Sequence, residues 1–448
     1  MGETLKRRYG LFTATCLVVG TVIGSGIFFR NDAIFAAIGG KMAIGVAAWI
    51  IGGIIALSFA YVFGTLASLD DKASGLSYFA QKLVGKKFAY VMGWYMATMF
   101  LPSITGVLAW VSGRFTTILL GFDVDPNFSG ETYVFALFYL VAIYAMNELS
   151  PKLSEKFHIS CTFIKVIPLI AMALIGTVVG LVNGTTVANI TDVSYNSGVS
   201  NPFFAAVIAT AFAYLGWDVV ISLSKEIKDV KKNLPRALFG GMLIVIVIYV
   251  AYFIGLFSAA PVEQLTSGAG VMAAFSNIFG TAAGTMLFTF IIISCLGTLN
   301  GLVIGSGRMF YTLSSNHTGP RQEIFSQLDR ATKMPANSMA ISLLLIGTWM
   351  LINAGNYMGV YGDFNFNIPG LMPISFKALM IPIFFNMMKK EKKLSIFKRF
   401  IVPGFAILAA LFLIYIIIYE QGMGVLVFIG LFAFVTVIGL LLEKKKSG

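Results

Sequence analysis

Twelve apolar stretches follow one another along the 448-residue chain, joined by short polar connections. They occupy residues 11–36, 43–67, 88–119, 132–149, 158–182, 202–223, 237–259, 275–312, 337–353, 367–388, 400–419 and 423–442. A helix needs about 20 apolar residues to cross a hydrocarbon core. The runs are continuous, without the apolar–polar alternation of membrane barrel strands, so the pattern predicts an all-α polytopic membrane protein. The third and eighth stretches exceed the required length and predict tilted helices.

The first stretch is interrupted. Gly24-Ser25-Gly26 stands mid-span between Leu17-Val18-Val19 and Ile27-Phe28-Phe29. No water is available there to satisfy loose backbone, so an irregular segment persists only where it is buried in protein or lines a cavity. Two glycines within three positions therefore predict a broken helix, the device by which secondary transporters build a polar site from main chain. The competing reading is a face of small residues that lets a neighbouring helix approach closely. The sixth stretch, Ala211-Phe212-Ala213-Tyr214-Leu215-Gly216-Trp217-Asp218, has a mid-span glycine of its own. The first and sixth helices each open a block of five. Because five is odd, the blocks enter the membrane in opposite senses, an inverted repeat inferred from counting alone. A lone helix glycine is the simpler alternative for the sixth stretch.

Such a pair of breaks has a definite chemistry. Unwinding the first helix exposes the amides of Ser25, Gly26 and Ile27 at the amino end of a half-helix, where partial positive charge suits a carboxylate. Freed carbonyls at Val22 and Ile23, and at Phe212, Ala213 and Leu215, suit an ammonium group. Together they describe a site for a zwitterion that requires no charged side chain.

Composition agrees with membrane residence: 58% of residues are hydrophobic and 12% charged, about half the charged share of a soluble domain. The formal charge of +12 raises the question of nucleic acid. Its placement answers it. With the amino terminus inside, 27 of the 32 Lys and Arg residues fall in inner loops and tails, counting Arg308 at the inner end of the eighth helix. Only Arg30 and Lys41 fall on the outer side; Arg114, Lys165 and Lys377 lie within spans. This asymmetry predicts a multi-pass protein of the plasma (inner) membrane with both termini cytoplasmic. The basic excess reports orientation and anionic membrane lipid, and no nucleic acid is needed. Cys16, Cys161 and Cys295 all lie in apolar segments without metal spacing, and the two histidines are far apart. No metal site, cofactor or catalytic dyad is expected, and no enzyme activity.

The ordered motifs resemble a known family. Gly20-Thr21-Val22-Ile23-Gly24-Ser25-Gly26-Ile27-Phe28 resembles the first-helix signature of L-amino-acid transporters in the amino acid–polyamine–organocation superfamily. The sixth helix with Glu226 and Asn233-Leu234-Pro235 is similar to the second signature. Thr162-Phe163-Ile164-Lys165 with Pro168-Leu169 looks like the family's fifth helix. Leu296-Gly297, Asn300-Gly301, Ser306, Arg308 and Tyr311 look like its eighth. Bacterial alanine–serine–cysteine exchangers are the closest members suggested.

The resemblance implies a LeuT-type fold: a 5+5 inverted repeat in residues 11–182 and 202–388, two peripheral helices in 400–442, and cytoplasmic tails at 1–10 and 443–448. It implies a sodium-independent antiporter exchanging small neutral L-amino acids by alternating access. The implied substrate-binding positions are Val22, Ile23, Gly24, Ser25, Gly26, Ile27, Phe212, Ala213 and Leu215, with Phe212 as an aromatic lid. Lys165 matches a lysine that occupies a sodium position in coupled relatives, where its ammonium mimics the cation. Glu226 is expected to latch an inner gate by pairing with a basic residue. The alternative left open is a proton-coupled symporter using Lys165. Animal relatives attach to a heavy chain through a cysteine between helices three and four; residues 120–131 contain none, so that covalent partner is not expected. Leu215 replaces the usual glycine, and Lys225 replaces a usual acid.

Other positions carry weaker expectations. Asp218 caps the second half of helix six or lines the cavity. Lys377 has no assigned mechanism. Trp94, Tyr95 and Thr98 wall the pocket or face lipid.

Overall fold

The computed structural model describes residues 9–70, 75–191, 198–222, 224, 227–315, 319–361 and 368–443. Among the described residues eleven helices are long and apolar enough to cross a membrane, and the bent pair Leu11–Val22 and Gly26–Ile38 makes a twelfth candidate. Their order matches the twelve apolar stretches. Among the described residues the one β pairing is a parallel bridge between Tyr9 and Ile227, where the Lys228 amide donates to the Tyr9 carbonyl at 2.8 Å.

Helix ends depart from hydropathy ends for physical reasons. The fifth span begins at Pro151 and the seventh at Val230, seven residues before their apolar runs in each case. Apolarity marks the hydrocarbon boundary, and a helix can continue beyond it. The stretch at 275–312 is not one helix. Gly280, at φ +84°, ends the short Gly270–Phe279 helix, and the eighth span begins at Thr281. The tenth span is interrupted at Leu379 and Met380, where Pro382 in the following turn has no amide to return to the Ala378 carbonyl. Residues 96–100 and 172–176 are π-helical turns within the third and fifth spans.

The chain gathers into two compact units. One comprises residues 1–71, 118–120 and 160–295, and so holds the first, second, sixth and seventh spans and most of the fifth. Lipid tails are as apolar as leucine, so close packing of small residues must hold such helices together. A Cβ on Gly180 would lie 2.1 Å from the Ser258 carbonyl oxygen, and one on Gly255 would lie 2.3 Å from that of Met172. These glycines let the fifth and seventh spans meet backbone to backbone. Phe35 stacks on Phe253 with ring centroids 5.1 Å apart.

The other unit comprises residues 72–117, 121–159 and 296–448. Tyr90 donates to the Gly439 carbonyl at 2.6 Å and Trp94 to that of Val435 at 2.8 Å, anchoring the third span to the twelfth. Asn147, Ser154 and Asn300 form a buried side-chain network at 2.7–3.1 Å.

Candidate functional site

The first span leaves helical geometry at Ile23, which is extended (φ −68°, ψ 94°), and resumes at Gly26 with its axis turned by 52°. Two β-branched residues followed by glycine, serine and glycine make this the weakest point of the helix. The sixth span stops being helical after Ala213. Gly216 sits at φ +108°, a conformation that glycine enters freely and other residues resist. A six-residue helix, Trp217–Ser222, follows.

The two breaks touch within the first compact unit. A Cβ placed on Gly26 would stand 2.9 Å from the Ala213 Cα and 3.3 Å from the Phe212 ring. One on Gly216 would stand 2.5 Å from the Thr21 carbonyl oxygen. Broken backbone and close small-residue approach, alternatives in the sequence, therefore coexist in the same glycines.

Three freed carbonyls have buried partners. Lys165 Nζ donates to the Gly20 carbonyl at 2.5 Å. The Tyr249 hydroxyl lies 3.0 Å from the Val22 carbonyl oxygen and 3.1 Å from that of Ala213. A hydroxyl has one proton to donate, so these two carbonyls together retain unused acceptor capacity. The amides of Ser25, Gly26 and Ile27 find no acceptor among the described residues, and the first turn of the second half-helix closes with Phe28 donating to the Ser25 carbonyl at 3.0 Å. The Ser25 hydroxyl is buried without a partner. Buried polar groups ordinarily have partners. Unsatisfied donors and under-used carbonyls are thus gathered in one kink, from which water is excluded: Ser25 is 1% exposed, Ile23 and Ile27 0%.

Val22, Ile23, Gly24, Ser25, Gly26 and Ile27 line the first break, and Phe212 and Ala213 face it across the Gly26 contact. Leu215 is half-buried in the second break, its amide donating to the Phe212 carbonyl at 3.2 Å. Asp218 is the second residue of Trp217–Ser222, inside the first turn and not at the cap. Glu226 and Lys225 lie outside the described residues. Lys377, Trp94, Tyr95 and Thr98 belong to the other unit. There Lys377 is buried in the last turn of Ile368–Ala378, while Tyr95 is hydrogen-bonded to Ser375 at 2.5 Å. Trp94 and Tyr95 are packed by protein.

Sequence reasoning missed Tyr249. The available signal was a phenol in a run of aliphatic residues, because a buried tyrosine hydroxyl needs a partner. Its ring lies 5.2 Å from Trp49 and 5.1 Å from Tyr214. Tyr214 donates to the Trp49 carbonyl at 2.9 Å, and Trp49 Nε1 to Asn31 Oδ1 at 3.1 Å. Asn31 in turn donates to the Ile27 carbonyl at 2.5 Å. The second, sixth and seventh spans thereby hold the second half-helix of the first. Arg30, read from the sequence only as an orientation marker, places its guanidinium carbon 5.1 Å from the centroid of the Phe212 ring.

A break pair of this construction belongs to transporters with discontinuous helices, and comparison with known proteins specifies which. Residues 9–442 match the family model described as amino acid permease, and the chain belongs to that family. It is a multi-pass amino acid transporter of LeuT-type, all-α architecture, not an enzyme. It is 30% identical over 353 residues to the serine/threonine exchanger SteT of Bacillus subtilis (strain 168), covering 78% of this chain and 77% of that one. It is 25% identical over 340 residues to the cystine/glutamate transporter of Homo sapiens (74% and 66%). It is 24% identical over 401 residues to the Asc-type amino acid transporter 1 of Mus musculus (86% and 74%). The match thus spans about two thirds to three quarters of these relatives' own lengths.

Proposed function

We propose that the protein is a sodium-independent antiporter that exchanges small neutral L-amino acids of the alanine–serine–cysteine type. The observation that carries this reading is the kink at residues 23–27. Its free amides and the unpartnered Ser25 hydroxyl suit a carboxylate, and the under-donated Val22 and Ala213 carbonyls suit an ammonium. Lys165, wholly buried, already donates from Nζ to the Gly20 carbonyl. That leaves less reason for a sodium ion in the seam between the first and fifth spans. Relatives named as a serine/threonine exchanger and an Asc-type transporter support exchange and small substrates.

In this reading residues 11–182 and 202–388 are the inverted repeats, and residues 400–442 are peripheral. Both termini are cytoplasmic, Phe212 closes over the substrate, Lys165 couples the fifth span to the first, and Glu226 latches the inner side. No covalent heavy-chain partner is involved. The half-helices rock to open one side and close the other, and no bond in the substrate changes. Efflux of labelled alanine from proteoliposomes tests this. It should require external serine, proceed equally in sodium and choline buffers, and ignore a protonophore. Net uptake that a protonophore abolishes would instead establish the proton-coupled alternative with Lys165 as carrier.

A further inference from the structure

Two basic segments of the second compact unit are packed together. The helix Leu76–Leu83 and the start of the next helix, Lys86–Tyr95, contribute Lys82, Lys86 and Lys87, all exposed. The connection from the tenth to the eleventh span carries six more cations within residues 389–399, and the only acid across both segments is Glu391. They are joined directly: Lys390 Nζ donates to the Leu83 carbonyl at 2.7 Å, capping that helix with a positive charge. Arg399 Nε donates to the Met388 carbonyl at 2.7 Å and fixes the connection on itself. Both bonds go to carbonyls and neutralise no charge. Like charges this close repel, since the screening length at physiological salt is about 8 Å.

Exposed apolar groups border the same connection. Ile396 is 73% exposed, Phe397 51% and Ile401 56%, where the chain enters the eleventh span. Aromatic residues at such a boundary sit at headgroup level, and cations beside them meet the lipid phosphates.

We propose that this surface is a binding site for the headgroup of an anionic phospholipid. Lys392, Lys393 and Lys398 contact the phosphodiester, and Ile396, Phe397 and Ile401 lie along the first carbons of the acyl chains. A dissolved phosphate would satisfy the cations and leave the apolar border without a contact, which is why a lipid is the fitting occupant. The site is independent of the proposed exchange activity.

The test measures phosphatidylglycerol binding to the full-length purified protein by native mass spectrometry, with thermal shift as a second readout. The triple variant Lys392→Gln, Lys393→Gln, Lys398→Gln should lose on the order of tenfold or more in affinity. The control Lys228→Gln, Lys231→Gln, Lys232→Gln removes the same charge from the other unit and should retain wild-type affinity. Phosphatidylcholine should not bind in place of phosphatidylglycerol, and inorganic phosphate should not compete. Equal loss in the control, equal retention of phosphatidylcholine, or displacement by phosphate would each overturn the proposal.

Discussion

Lys165 reaches out of the fifth span and donates from Nζ to the Gly20 carbonyl, 2.5 Å away, one turn before the first helix breaks. Its side chain is wholly buried. A charge at that depth is costly and is by default functional. The bond fixes the end of one half-helix to a neighbouring span, so its loss should affect movement of that half more than grip on a ligand. Replacing Lys165 with Ala leaves the carbonyl without its donor, a penalty of about 1–3 kcal/mol, equivalent to roughly 5- to 150-fold in an equilibrium. Exchange in Lys165→Ala proteoliposomes should be slowed within that range, while alanine affinity measured on purified protein changes by less than about fivefold. Wild-type exchange rates in the variant would remove Lys165 from the mechanism.

Gly26 is constrained by the opposite helix as well as by any ligand. A Cβ there would stand 2.9 Å from the Ala213 Cα, whether or not a ligand is bound. Backbone cannot swing aside as a side chain can. Gly26→Ala should therefore separate the breaks and weaken binding sharply, and Gly26→Val should abolish it. Overpacking of this kind costs about 1–3 kcal/mol of stability. Titration calorimetry with L-alanine on folded, monodisperse variant protein is the check, and unchanged affinity would refute the geometry.

Tyr249 serves two carbonyls with one proton. Tyr249→Phe keeps the ring packing against Trp49 and Tyr214 and withdraws only the hydroxyl. The empty protein should lose about 0.5–1.5 kcal/mol, the usual worth of a hydrogen bond. If a substrate ammonium uses the same carbonyls, saturating L-alanine restores a donor. Its stabilising shift in melting temperature should then be larger in Tyr249→Phe than in wild type. Equal shifts would place the ammonium elsewhere.

Gly216 combines two demands, φ +108° and a Cβ position 2.5 Å from the Thr21 carbonyl oxygen. Gly216→Ala meets both penalties. A backbone held in such a region costs on the order of 1–3 kcal/mol for a non-glycine residue. The melting temperature should fall clearly, and a neutral effect would mean that the sixth break closes more loosely than described.

The architecture could be read from hydropathy because span length is dictated by the bilayer, and the twelve apolar stretches survive in order as twelve candidate spans. The first break was visible because Gly24 and Gly26 are poor helix formers in a place where water cannot help. Gly280 was invisible as a boundary, since one glycine in an apolar run reads as a helix residue until its φ is known. The interruption at Leu379 and Met380 is marked only by Pro382, a residue that stands as readily in the first turn of a new helix as in a kink. Tyr249 and Asn31 escaped notice because their roles depend on partners 36 and 18 residues away or more, brought close only by folding. Arg30 was counted as a loop charge because charge asymmetry reports the side of the membrane and not the ring beneath a guanidinium.

On the proposed mechanism, main-chain groups at the two kinks hold the zwitterion. A high-resolution density map of the protein with bound L-alanine tests this most directly. The carboxylate is expected within hydrogen-bond distance of the Ser25, Gly26 and Ile27 amides, with the ammonium at the Val22 and Ala213 carbonyls. Alanine density away from residues 22–27, or first and sixth helices running unbroken past those positions, would contradict it.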